Sequence, residues 1–77
     1  MSTYEPGDFV KVEFKDDATG ESEWMWVRVD RIDHANCIVF GRLDSQPILN
    51  HAGKLSVGTQ LAISYDNIRE HRKADQF

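Results

Sequence analysis

The stretch "EWMWVRVDRID", Glu23 to Asp33, sets Trp24, Trp26 and Arg28 at alternate positions. Side chains two apart share a face of an extended strand, so this spacing would align two indoles with a guanidinium. Downstream, "FGR" repeats the pairing with Phe40 and Arg42. Aromatic rings beside arginines can satisfy one another as cation–π pairs, anchor a protein or peptide, or stack nucleotide bases next to phosphate-binding guanidiniums. The candidate ligand-binding set is therefore Trp24, Trp26, Arg28, Phe40 and Arg42.

The other reactive residue types do not assemble. His34, His51 and His71 have no second ligand at a metal-binding spacing, so no metal site is expected. Asp16, Asp17 and Glu21 bracket Gly20 but lack the Asp-x-Asp-x-Asp-Gly framework of a calcium loop, and read as a solvated acidic loop. Cys37 is the only cysteine, which excludes an internal disulfide. It reads as a small packed hydrophobe beside Ile38, Val39 and Phe40. Ser64, Asp66 and His71 lie close in sequence, yet His71 falls in the tail, where it could not orient a base. Gly53 and Gly58 form no phosphate-cradling loop. The expectation is no catalytic residue, no cofactor and no enzyme.

The elements that would position these residues are short strands. In "DFVKVEFK" the inward set is Val10, Val12 and Phe14; in the second strand it is Met25, Val27 and Val29, leaving Trp24, Trp26 and Arg28 outward. "DHAN", residues 33–36, is a turn by composition, leading into "CIVFGRL". A hairpin loop of Ile32 to Asn36 would set Arg28 opposite Phe40 and Trp26 opposite Arg42. Gly41 marks a bulge or sharp bend. Residues 44–60, with Pro47, Gly53 and Gly58, read as a short edge strand and a packed loop that could fold over the tryptophans. "QLAISY" alternates again on Leu61, Ile63 and Tyr65, and Asp66 would cap a single 3-10 turn before a last short strand. The expected fold is all-β, a small SH3-like barrel of five or six short antiparallel strands. It would form one domain over residues 1–77, with residues 1–6 and 70–77 flexible. The tryptophans should differ, Trp24 partly wet and Trp26 mostly covered.

Several of these segments resemble, in order, the YegJ-like family of bacterial domains: "GDFVKVEFKD", "EWMWVRV", "GRLDSQPI", "LSVG" and "ISYDNI". The similarity spans residues 7–68. Its most specific parts are Met25-Trp26-Val27 and the turn Gly41-x-Leu43-Asp44-x-x-Pro47. The resemblance implies a small β domain with no established activity, and it brings no catalytic residues.

Charge narrows the choice of partner. Residues 1–23 hold seven acids and two bases, whereas residues 24–77 hold six acids and seven bases, for the overall net charge of −4. An acidic chain repels phosphate backbones, so a protein or peptide partner is expected ahead of single-stranded nucleic acid. No apolar run is long enough for a membrane helix, and "MSTYEPGDF" has neither basic leader nor apolar segment. A monomer in the cytoplasm, working as a non-enzymatic binding module, is the expectation.

Overall fold

A computed structural model describes residues 4–16, 19–49, 53 and 55–74. Five strands form one antiparallel sheet: β1 (Phe9–Lys15), β2 (Ser22–Asp33), β3 (Ile38–Leu43), β4 (Gln60–Ser64) and β5 (Ile68–Arg72). Their spatial order is β4-β3-β2-β1-β5, so the last strand returns beside the first. The sheet is not closed among the described residues. A 3-10 turn, Tyr65–Asn67, links β4 to β5; Ser64 caps it, its hydroxyl accepting from the Asp66 amide at 3.4 Å. The cap is therefore Ser64, two residues before the Asp66 expected from sequence. No helix among the described residues is long and apolar enough to cross a membrane.

The period-two pattern places the core. Val10, Val12, Met25, Val27, Val29, Val39, Leu43 and Ile63 are all buried, with Phe14, Ile32, Leu55, Leu61, Tyr65 and Ile68 packed at their margin. Burying a Val, Leu, Ile or Met side chain contributes about 1.5–3 kcal/mol, so this inner face is the main source of stability.

The β2–β3 hairpin departs from the expected register. Asp33 pairs with Ile38 across a loop of His34 to Cys37, and the register shifts between Val29 and Arg31, leaving Asp30 as an extra residue. Arg28 consequently faces Arg42, and Arg31 faces Phe40. The expected pairs, Arg28 with Phe40 and Trp26 with Arg42, do not form. Two features cause the difference. Asp33 accepts from the Asn36 backbone and side-chain amides at 3.2 and 2.8 Å, closing the turn one step later than expected. The bulge then restores alternation on both sides, because the inward set changes from Val27 and Val29 to Ile32. Gly41 sits at this bulge, where a Cβ would lie 2.2 Å from the Arg28 carbonyl oxygen. Only glycine allows that approach.

Cys37 closes the turn with φ 57° and is exposed, so it is not the packed hydrophobe expected. Asp16 is 4 % exposed, which removes it from the solvated loop; Asp17 lies outside the described residues. Between Leu43 and Gln60 the described residues form no strand. Ile48 is 91 % exposed, and Leu49 and Leu55 are half-buried. Backbone bonds from Leu43 N to Thr59 O and from Gly58 N to Leu43 O join the two ends of this excursion.

Candidate functional site

Alternation carries all five sequence-predicted residues to the outer face. Trp24 is 46 % exposed, whereas Trp26 and Phe40 are half-buried. Arg28 and Arg42 are exposed. The structure separates them into two groups. Trp24 and Trp26 face β1, paired with Glu13 and Lys11 respectively. Phe40 lies beyond the bulge, with the Arg31 guanidinium 4.2 Å from its ring centre. Arg42 forms an ion pair with Asp30 at 3.3 Å.

The cations on the tryptophans come from strands that sequence reading did not assign to the site. Lys11 Nζ lies 5.8 Å and the Arg72 guanidinium 5.4 Å from the Trp26 ring, while Arg69 lies 5.8 Å from Trp24. Such contacts stabilise by about 0.5–1 kcal/mol each at exposed sites. The segment after β3 meets β2 through its backbone instead. Asp44 N donates to Trp26 O and Trp26 N donates to Ser45 Oγ, both at 2.9 Å. Ile48 N and Leu49 N donate to the Glu23 carboxylate at 3.0 and 2.8 Å. The described residues of the 44–60 segment leave the Trp24 ring partly open.

Two shallow grooves open on the outer face. One, about 260 Å³, is lined by Glu13, Trp24, Asp66, Asn67, Ile68 and Arg69. The other, of the same size, is lined by Asp30, Arg31, Phe40, Gly41, Gln60 and Leu61. Between them the face is cationic: strand alternation places Lys11, Lys15, Arg28, Arg31, Arg42 and Arg72 there, and Arg69, at the β1–β5 register shift, joins them over Trp24, against Glu13, Asp30, Asp33 and Glu70. This excess of positive charge belongs to a chain of net charge −4.

Comparison with protein-family models, with curated proteins and with solved structures found no match.

A second polar cluster lies on the inner side, where none was expected. His71 is not in a frayed tail: residues 70–72 pair with β1, and His71 faces Val10. Its Nε2 lies 2.7 Å from Asp8 Oδ2, and Asp8 is 3 % exposed. The same oxygen accepts from Lys73 Nζ at 3.2 Å and from the Glu5 amide at 2.9 Å, and Lys73 also reaches Glu5 at 2.7 Å. Burial pushes the Asp8 carboxyl up, but hydrogen bonds from His71, the Glu5 amide and Lys73 outweigh it and hold the group below its ordinary value. Tyr4 packs at a tilt against His71 and Tyr65, with ring centres 4.6 and 4.7 Å away, and the Tyr65 hydroxyl meets His34 Nδ1 at 3.0 Å. His51 lies outside the described residues. Through Oδ2, Asp8 ties the N-terminal segment to His71 of β5 and to Lys73 just beyond it, an arrangement suited to a clamp.

Proposed function

We propose that this chain is a non-enzymatic binding module of SH3-like type, and that its outer sheet face takes an extended peptide segment of a partner protein. One observation carries the reading: Trp24, a large aromatic, stands 46 % exposed at the wall of a groove on a rigid strand. Tryptophan is the residue most enriched at binding hot spots, and a strand holds it without the entropy cost of ordering a loop. The strand order, with the last strand beside the first and a 3-10 turn before it, supports the SH3-like comparison. The YegJ-like resemblance supports a small β module and brings no activity.

Single-stranded nucleic acid is the weaker reading. Base stacking needs open aromatic faces, but Trp26 carries Lys11 and Arg72, and Phe40 carries Arg31. Selection from a random displayed peptide library tests the proposal. Enriched peptides should bind wild-type protein and lose binding to Trp24→Ala while its melting temperature stays unchanged. Enriched peptides that bind Trp24→Ala equally well would refute the site, and a library that yields no binder would refute the module.

A further inference from the structure

Cross-strand register sets one row of residues across the whole sheet. Arg72 on β5 faces Phe9 on β1, Phe9 faces Arg28 on β2, Arg28 faces Arg42 on β3, and Arg42 faces Gln60 on β4. Strands stand about 4.8 Å apart, so the three guanidinium stems span about 14 Å on the outer face. Like charges directly opposite on neighbouring strands repel. Asp30 answers Arg42 at 3.3 Å, and Glu70 lies 3.9 Å from Arg72. Arg28, at the middle of the row, has no ion pair among the described residues. The sheet therefore keeps positive charge at its centre although the chain has acids to spare.

We propose that this row binds an acidic peptide segment, laid across the strands with carboxylates on Arg72, Arg28 and Arg42, from which a flanking apolar residue turns along β2 toward Trp24, four residues from Arg28. The inference rests on the peptide-binding reading and adds the chemistry of the ligand. Guanidinium forks match carboxylates in bidentate geometry, and an incoming acid relieves the Arg28–Arg42 repulsion as it binds. A long polyanion is a poorer fit. Beside Trp24 the groove carries the acids Glu13 and Asp66, which would repel a polyanion continuing along β2, whereas an apolar side chain placed there brings no like charge.

The test uses fluorescence anisotropy with four labelled probes: a Glu-rich peptide with two leucines, its Gln twin, its Lys twin and a thymidine oligonucleotide. The Glu peptide should bind, and binding should weaken as salt rises. Arg28→Glu should reduce its affinity by about tenfold or more, since a like charge then meets the ligand. Arg28→Gln, the milder variant, should reduce it less, with both variants melting as wild type does. The doubly reversed Arg28→Glu, Arg42→Glu protein should prefer the Lys twin. Equal binding of the Gln and Glu peptides would overturn the acidic ligand and leave a peptide module standing. Failure of the Glu peptide to bind also overturns the inference, and binding of the oligonucleotide alone overturns both readings.

Discussion

His71 and Arg72 are neighbours on β5 and point to opposite faces of the sheet. On the inner side, His71 meets a carboxylate that is 3 % exposed and already accepts from Lys73 and the Glu5 amide. On the outer side, Arg72 opens a row whose next two cations, Arg28 and Arg42, oppose each other across strands. The inner cluster brings together opposite charges and fills the acceptor positions of one buried oxygen. The outer row sets like charges together at the surface. A buried charge must be compensated within the fold, whereas water tolerates an uncompensated exposed one. The first arrangement serves stability; the second leaves charge available to a partner.

The largest effect should come from breaking the inner cluster. Asp8→Ala strands His71, Lys73 and the Glu5 amide around a vacated site, and should cost about 2–4 kcal/mol in urea unfolding, as removal of one partner from a buried pair does. A loss below about 0.5 kcal/mol, within the range of ordinary surface changes, would mean that the clamp does not hold β5.

Acid should reveal the same cluster. The folded-state carboxyls of Asp8 and Asp33 lie below their ordinary value of 3.8, Asp33 chiefly through the Asn36 side-chain hydrogen bond. A depressed folded value gives stability that is complete above the unfolded value and lost as pH falls through the folded one. The melting temperature should therefore fall below about pH 4, and Asp8→Ala should flatten that slope. An unchanged slope in the variant would assign the acid sensitivity elsewhere.

Smaller effects sharpen the outer face. Trp26→Ala removes a half-buried ring and two cation–π contacts, and should cost about 1–3 kcal/mol. Trp24→Ala should stay within about 0.5 kcal/mol, as an exposed position does. Acrylamide quenching of the two single-tryptophan proteins checks the same difference, with Trp24 quenched more strongly. Least of all, Arg28→Ala should leave stability within about 0.5 kcal/mol of wild type, on the stabilising side, because it removes a like-charge pair. Clear destabilisation in thermal melts would show that Arg28 serves the fold.

How far these features could be read in the sequence follows from what hydrophobic pattern records. Val10, Val12, Met25, Val27 and Val29 alternate because one face of β1 and β2 is packed, so both strands and the outward direction of Trp24 and Trp26 were legible. The bulge was legible only through Gly41, which marks a bulge or bend and must pass close to the Arg28 carbonyl; that the extra residue is Asp30 on β2 was not, because "VDRID" contains no glycine. The sequence predicts a last short strand after the turn, but residues 70–72 of β5 fall in the expected flexible tail because "REHR" has no apolar alternation. The inward His71 is held by a hydrogen bond to the Asp8 carboxylate, which such a pattern cannot register. Residues 44–60 misled in the opposite direction. Their apolar residues suggested an edge strand, but the segment is tied to β2 by backbone amides on Glu23 and by Ser45. The candidate aromatics were legible one by one, whereas their cationic neighbours Lys11, Arg69 and Arg72 required the β1–β5 pairing.

The most direct test of the division between the two faces is an amide chemical-shift map of the protein titrated with the Glu-rich peptide. Shifts should concentrate on the outer row and its aromatic border, at Phe9, Trp24 to Arg28, Arg42 and Arg69 to Arg72, with the Trp24 indole proton moving furthest. Asp8 and Glu5 should stay still. Shifts centred on Glu5 and Asp8, or spread evenly over the sheet, would contradict the assignment of stability to the inner cluster and recognition to the outer row.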